Sequence, residues 1–354
     1  MPLPVPSVYL PPEWSSQSGV ILTWPHRHSD WSAYLDDAEQ VYQNIAIAIG
    51  QREKLLVLCY DAEHRTHIAQ LLHQHIPAQH LYLVIAPGND TWVRDYGPIS
   101  VLDAAGKPRL LNFRFNAWGN KFDATLDDAI NKVLQEQRVF SAPMDDIDLV
   151  LEGGSIETNG QGDLLTSSTC LLSPQRNPQF DQHQISRQLQ ELLGTPNILW
   201  LTKGHIEGDD TDAHIDTLAR FTGPDTIAHV TCQDSRDSHY TSLQAMTEEL
   251  AGMRGGDGRP FQRVPLPIPA PIYHDGRRLP ATHANFLIIN EAVLLPVYGD
   301  RTDEIARDNL AACFPGREIV PINCLPLIRQ SGSLHCITMQ IPQAVAIDAD
   351  PYTG

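Results

Sequence analysis

The sequence predicts an α/β fold made by repeating one unit, and three observations carry that expectation. A strand–strand–helix–strand pattern recurs four times between residues 91 and 322. A last apolar strand, residues 333–341, has no partner after it, and it completes a fifth copy only by joining the strand at 19–24 and the helix that follows. The chain has 354 residues, 42% of them hydrophobic, enough for a large core. Repetition of one supersecondary unit points to a radial or stacked architecture, and a ring closed by both chain ends has no open sheet edge. An ordinary open α/β sheet with hairpins stands as the alternative, because the copies share little sequence similarity.

Residues 1–17 are rich in Pro and Ser and read as extended; residues 19–24 form an apolar strand. Ser29 or Asp30 can cap a helix whose apolar positions (Trp31, Tyr34, Leu35, Ala38, Val41, Tyr42, Ile45, Ile49) keep the 3.6 period, with Gly50 at its end. A strand at 54–59, a helix at 61–75 and an aliphatic strand at 81–86 follow. The first full unit pairs 92–101 with 109–115 around Gly106-Lys107-Pro108, then has a helix at 124–137 and a strand at 147–151. The second pairs 154–158 with 164–172 around an Asn159-Gly160 turn, then a helix at 178–193 with Pro178 in its first turn and Gly194 behind it, then a strand at 198–201. The third pairs 213–221 with 226–232, then a helix at 239–253 and a strand at 263–266. The fourth pairs 282–289 with 292–298, then a helix at 302–313 and a strand at 318–322. Residues 254–280, rich in Gly and Pro, read as a long surface segment at the rim of a site.

Net charge is −18, from 25 basic and 43 acidic side chains. That argues against nucleic acid and anionic membrane surfaces, which ask for basic patches, and it is compatible with a small cationic substrate. The six cysteines form no C-x-x-C pair and read mostly as reduced core thiols. Met1-Pro2-Leu3-Pro4-Val5-Pro6 has neither the basic region nor the apolar run of a signal peptide. No stretch approaches the ~20 apolar residues of a membrane span, so a cytoplasmic location is expected. Phosphate-loop, dinucleotide, zinc-protease and G-x-S-x-G motifs do not occur. The neighbours His73, His75 and His80 are not read as a metal site, and no cofactor is expected.

The candidate chemistry sits at the hairpin starts. In the strand read from Ala213, His214 and Asp216 share a face while Ile215 turns into the core. In a ring, this pair meets Trp92 and Asp95, Glu152, Asn285 and the Ser333–Cys336 segment at one centre. Cys336, after a flexible Ser331-Gly332-Ser333, is either a core thiol or a nucleophile. Its neighbour His335 faces the other way along the predicted strand, which makes His335 structural and His214 the catalytic partner. Singly, Asp95 fits a local ion pair with Arg94, Glu152 an exposed turn, and Asp209, Asp210 and Asp212 a solvated loop. Together, carboxylates at three hairpin starts around one His and one Cys point to a flat cation. A guanidinium fits, since it pairs with carboxylates and stacks on an indole such as Trp92.

Five motifs, with Pro11-Pro12-Glu13-Trp14, Gly19-Val20 and Trp24-Pro25 before them, carry a family resemblance. They are Trp92-Val93-Arg94-Asp95-Tyr96-Gly97-Pro98, Phe115-Asn116-Ala117-Trp118-Gly119, Leu151-Glu152-Gly153-Gly154-Ser155-Ile156, Asp212-Ala213-His214-Ile215-Asp216 and His335-Cys336-Ile337-Thr338. In this order they resemble the agmatine deiminase family, the bacterial peptidyl-arginine deiminase type within the guanidine-modifying superfamily. Ser331-Gly332-Ser333 and Met339-Gln340 depart from the family's Gly-rich run and Gln-Gln without removing a chemical group. The resemblance implies a five-bladed α/β propeller of the pentein type, one domain over residues 1–354, closed by both chain ends. It implies deimination of agmatine to N-carbamoylputrescine and ammonia through a covalent thiouronium on Cys336. Asp95 and Asp216 would clamp the guanidinium, Glu152 would hold the His or the substrate, and His214 would serve as acid and then base. Trp92, Asp90 and Asp210 are the expected substrate contacts, Asp210 at the distal ammonium. Arg114 could instead serve a carboxylate, which keeps peptidyl or free arginine open. A non-catalytic polyamine or guanidine binder is the alternative of another class, and a homo-oligomer is compatible with the sequence.

Overall fold

The structure, a computed structural model, describes residues 8–352. The Met1–Pro6 stretch, read above as no signal peptide, lies outside the described residues. Among the described residues, no helix is long and apolar enough to cross a membrane.

The mixed α/β chain folds into five separate sheets of three or four strands, with a small two-stranded ribbon of Tyr273–His274 against Arg277–Arg278. Four sheets follow one recipe: an antiparallel hairpin, a helix, and a third strand that returns parallel to the second. The strands are Ile99–Asp103, Pro108–Arg114 and Met144–Val150, with Val8–Tyr9 added on the outer edge. The next sheet holds Ile156–Thr158, Asp163–Ser167 and Asn197–Leu201. Then come Ala219–Gly223, Thr226–Thr231 and Gln262–Pro267, followed by Leu287–Ile289, Ala292–Val297 and Glu318–Asn323. A parallel return needs a crossover, and the helices Ile130–Glu136, Gln182–Leu193, Tyr240–Gly252 and Thr302–Cys313 supply it.

The remaining sheet joins the two ends of the chain as expected. Thr338–Pro342 runs antiparallel to Gln17–Thr23, with Thr338 opposite Leu22 and Ile341 opposite Gly19. Gln17–Thr23 then pairs in parallel with Lys54–Cys59, and that strand with Leu81–Ile85. These central strands are apolar on both faces, and every residue of Lys54–Cys59 after the lysine is buried. Each large aliphatic buried this way contributes about 1.5–3 kcal/mol. The helix after Gln17–Thr23 begins as a 3-10 turn, Asp30–Tyr34, and continues as Leu35–Gly50. Gln182–Leu193 starts four residues later than Pro178 because Asp181 and Gln184 form a capping box, and it ends on left-handed Gly194 (φ 66°).

The largest departure from expectation lies at the hairpin starts. The segments read as the first halves of strands are single helical turns instead: Val93–Tyr96, Gly153–Ser155 and Ile215–Thr217, with turns also at 283–284 and 334–337. Asp212 and Ala213 hold φ of 68° and 65°, which no strand tolerates. His214 and Asp216 therefore do not share a strand face; His214 is the residue before a 3-10 turn and Asp216 lies within it. Likewise 168–172 leaves its strand as the turn Ser168–Leu171, capped by the Ser167 side chain. Polar–apolar alternation over five residues is satisfied by one helical turn as well as by a strand, and the sequence pattern cannot separate them. Residues 254–280 include the third strand of a sheet and the ribbon, and none of them lines the cavity described next.

Candidate active site

The lead-in turns converge on a cavity of about 270 Å³ whose wall carries Asp30, Asp90, Asp95, Asp123, Asp127 and Asp210. Trp92, Trp118, Phe122, Thr211, Gly332 and Cys336 complete much of the rest, and no lysine or arginine is on that wall. Gly332 lets the chain close over the indole: a Cβ there would lie 2.2 Å from the Trp92 ring.

Gly154 marks the centre. A Cβ on it would lie 2.7 Å from His214 Nδ1, 2.9 Å from Asp95 Oδ1 and 3.0 Å from Asp216 Oδ2, so only glycine lets these three groups draw together. Asp95 accepts the Gly154 N–H at 2.9 Å on Oδ1 and the Trp118 indole N–H at 2.9 Å on Oδ2. Burial, opposed by His214 and reinforced by Asp216 and Glu152, pushes its carboxyl up to about 6. The Trp118 donor comes from a left-handed stretch, with φ of 49° at Ala117, 56° at Trp118, 92° at Gly119 and 63° at Asn120. Non-glycine residues there cost roughly 1–2 kcal/mol each. The Asn116 side chain offsets part of this by accepting the Gly119 N–H at 2.9 Å and donating to Gln175 O at 2.9 Å.

Cys336 Sγ lies 3.6 Å from Asp216 Oδ2 and receives the Asn285 Nδ2–H at 3.2 Å. Asn285 Oδ1 also accepts the backbone N–H groups of His335 and Cys336, at 2.9 and 3.3 Å, which fixes the turn around the sulfur. Burial, with the negative charges of Asp216 and Asp95, holds the Cys336 thiol well above the usual thiol range. Asp216 Oδ1 is buried and has no hydrogen-bond partner.

His214 is fully buried, and neither ring nitrogen has a hydrogen-bond partner. Burial works against a charged imidazole, but the Asp95 carboxylate at 3.6 Å, with Cys170 and Glu152, outweighs it and holds the pKa well above the usual histidine value. Glu152 does not grip His214 directly. Both its oxygens take the Arg176 Nε–H, at 2.7 and 3.0 Å, in an ion pair with no exposure, and the Cys170 thiol lies 3.9 Å from Oε2. Arg176 extends the chain to Asp212 Oδ2 at 2.7 Å and to Thr211 O at 2.9 Å, which ties the loop ahead of His214 to Glu152. Breaking such a buried pair typically costs about 3–5 kcal/mol.

Behind Asp216 lies a second charged node built on Glu13. Its carboxylate meets Arg94 Nη1 at 3.2 Å, Arg220 Nη2 at 2.5 Å, His335 Nε2 at 2.8 Å and Gln340 Nε2 at 2.9 Å. Arg220 also pairs with Glu157, and Arg94 with Gln340. His335 turns away from the cavity, as expected, but its Nδ1 lies 2.8 Å from Asp216 Oδ2. Burial, then Arg220 and Arg94, hold its pKa below the usual value. Among the described residues, two donor sets have their ligand atoms within 4.8 Å of one another, Glu152–Cys170–His214 and Glu13–Glu157–His335. In each, a guanidinium already occupies the carboxylates, Arg176 in one and Arg220 in the other.

Of the predicted site residues, Cys336, Asp95, Trp92, Asp90 and Asp210 line the cavity, and Asp216, His214 and Glu152 stand buried behind it. Asp90 does not stand free. Oδ1 holds the Trp31 indole at 2.9 Å and Oδ2 the Trp92 indole at 3.0 Å, so it sets the rings rather than offering an open carboxylate. Asp210 is pushed up to about 6, by burial first and then by Asp209. Arg114 is not at the site: it is exposed and paired with Asp148 at 3.0 Å. Sequence reasoning missed the roles of Arg176, Cys170, Trp118, Glu13 and His335. Trp118 and Glu13 sit in the quoted motifs; Arg176 and Cys170 had no local signal.

Residues 9–342 match the model of the Porphyromonas-type peptidyl-arginine deiminase family. A Selenomonas ruminantium protein named "Putative agmatine deiminase" is 34% identical, over 94% of this chain and 95% of its own length. A Cys-to-Ser variant of agmatine deiminase from C. jejuni with substrate bound is 39% identical, with a TM-score of 0.88 over 94% of this chain and 96% of that one. Agmatine deiminase of Enterococcus faecalis is 29% identical, with a TM-score of 0.86 over 96% of both chains. An amidinotransferase from Microseira wollei, 11% identical with a TM-score of 0.51 over 98% of this chain and 99% of that one, shares the fold alone.

Proposed function

This chain belongs to the Porphyromonas-type peptidyl-arginine deiminase family, and from that premise we propose that it is an agmatine deiminase releasing ammonia and N-carbamoylputrescine. One observation carries the choice of substrate: among the described residues, six aspartates and neither a lysine nor an arginine line the cavity. Agmatine ends in an ammonium, which such a wall attracts; arginine ends in a carboxylate, which it repels. Arg114, the one group that pointed toward arginine, is spent on Asp148 at the surface. The C. jejuni enzyme with substrate bound supports the reading.

The guanidinium takes the place between Asp95 and the unpartnered Asp216 Oδ1, with its plane toward Trp92. Its charge reverses the field at Cys336: two carboxylates that discourage a thiolate are neutralised by the cation between them, and the thiol gives up its proton to solvent water in the cavity as substrate binds. The thiolate attacks the guanidinium carbon and forms a C–S bond. His214, cationic at rest, gives its proton to the departing nitrogen; the C–N bond breaks and ammonia leaves. Neutral His214 then takes a proton from water, whose oxygen adds to the thiouronium carbon. The C–S bond breaks as the added hydroxyl passes its proton to the leaving sulfur, which yields the ureido product and restores the thiol. No step calls for a metal or organic cofactor. We read the five sheets as blades of one α/β propeller spanning the chain, since each repeats the same recipe and the last is closed by both ends.

The test compares ammonia release from agmatine, arginine and an arginine-ending peptide. Agmatine is expected to win by kcat/KM, and a faster arginine or peptide overturns the substrate assignment. Alkylation of Cys336 that agmatine blocks, without any turnover, would leave a guanidine binder.

A further inference from the structure

We propose that His335, backed by Arg220 and Glu13, is a positioning residue that fixes Asp216 as a carboxylate with one oxygen held and the other left for the substrate. The proposal rests on the agmatine reading only for the occupant of that second oxygen. Asp216 Oδ2 lies 2.8 Å from His335 Nδ1, and Oδ1 is buried without a partner. A nitrogen at that distance from a carboxylate must carry the proton, so the ring donates from Nδ1. The other ring nitrogen faces Arg220 Nη2 at 3.0 Å, and an arginine only donates. Glu13 Oε1, 2.8 Å from the same nitrogen, can accept a proton from it, so Nε2 bears either a lone pair toward Arg220 or a proton toward Glu13, and Nδ1 donates to Asp216 in both cases.

Arg220 is held in place. It is fully buried, donates to Ala284 O at 3.2 Å and Phe286 O at 2.8 Å, and lies 4.7 Å over the Phe286 ring. Glu13 balances Arg220 and Arg94 and sits 2.8 Å from the same His335 nitrogen. Remote charge thus reaches the clamp through one imidazole.

Asp216 needs that donor. Around the same Oδ2 stand His214 and Asp95, gathered about Gly154, and the Cys336 thiol at 3.6 Å, while the Asn285 amide donates to the Asp216 backbone oxygen at 3.4 Å. On the far side His335 is the group that donates to Oδ2, with Glu13, Arg94 and Arg220 beyond. Without the donor, the carboxylate that clamps the cation loses a hydrogen bond made to its charged form.

His335→Asn and His335→Gln separate positioning from packing. The Asn amide occupies the place of Nδ1 and can still donate to Asp216; the Gln amide reaches only the place of Nε2. The expected result is a roughly 10- to 100-fold loss of kcat/KM for agmatine in His335→Gln, with the acid limb of its pH profile moved to higher pH. His335→Asn is expected to stay near the parent in both respects. Equal losses in the two variants, or an unmoved acid limb in His335→Gln, overturn the proposal. A second readout needs neither turnover nor a folded variant: nitrogen NMR of the parent labelled with [15N]histidine. A protonated Nδ1 at His335 is expected, and a bare Nδ1 overturns the proposal. A parent that releases no ammonia from agmatine defeats the substrate reading while leaving this NMR test intact.

Discussion

His214 and His335 stand near the same carboxylate, Asp216, and both are fully buried. Burial alone would make both neutral. Yet His214 is held well above the usual histidine pKa and His335 below it. The difference is in the company: Asp95, Glu152 and a thiol around His214, two arginines against His335. In the proposed mechanism the first imidazole delivers a proton, and in the proposed positioning role the second is a fixed donor. The charge map around a buried ring, not the depth of burial, decides which task it can perform.

The largest test is whether the sulfur beside this pair reacts at all. Cys336→Ala is expected to reduce ammonia release from agmatine by on the order of 10⁴-fold or more, measured by coupled ammonia assay; a rate near the parent's removes the nucleophile and the comparison with it. Next, His214→Asn is expected to cost about 10²- to 10⁴-fold in kcat, well beyond the loss for His335→Asn. If the two asparagine variants fall together, the rings do not have separate tasks. Smaller but more pointed is the pH dependence of stability, followed by urea unfolding. His214 has a folded pKa above its ordinary 6.5, so its contribution is full below 6.5 and disappears as pH rises through the folded value. His335 has a folded pKa below 6.5, so its contribution is full above 6.5 and disappears as pH falls through the folded value. The gap between parent and His214→Asn should therefore narrow on going alkaline, and the gap for His335→Asn on going acid. Slopes of the same sign would contradict the contrast. The smallest effect is a control that makes no hydrogen bond to either ring. Burial raises Glu53 to about 7 from an ordinary 4.5, opposed by the Asn290 backbone and Arg317. The fold favours its protonated form, so parent stability should fall between pH 4.5 and about 7 by at most a few kcal/mol. Glu53→Gln should flatten that slope and leave both imidazole signatures in place.

Much of this was legible before any coordinates. The repeated unit, its helices and the joining of 338–342 to 17–23 follow from hydrophobic period and turn residues, because those elements bury whole faces. The residues of the candidate site were legible as types at equivalent places: Asp95, Glu152, His214, Asp216 and Cys336 each sit at the head of a unit. Their local shape was not. Asp212 and Ala213 in left-handed backbone look, in sequence, like any polar–small pair ahead of a strand. Nor could spacing show that Glu152 would be taken by Arg176, 24 positions away, or that Glu13 would reach His335 from the other end of the chain. Such partners are chosen by packing between sheets, and a single sequence carries no periodicity for that. His335 was assigned to structure for a sound reason, its outward direction, and the assignment missed that the outward side of the turn is where Asp216 is held.

The zipper between Thr338–Pro342 and Gln17–Thr23 has a consequence for the order of folding. Cys336 precedes by two residues the strand that makes this pairing, so its sulfur takes its place only when two segments distant in sequence have met. Contacts of such long separation carry a large loop-closure entropy and form slowly. The thiol is therefore among the late arrivals at the cavity, behind the locally folded units that carry the acids.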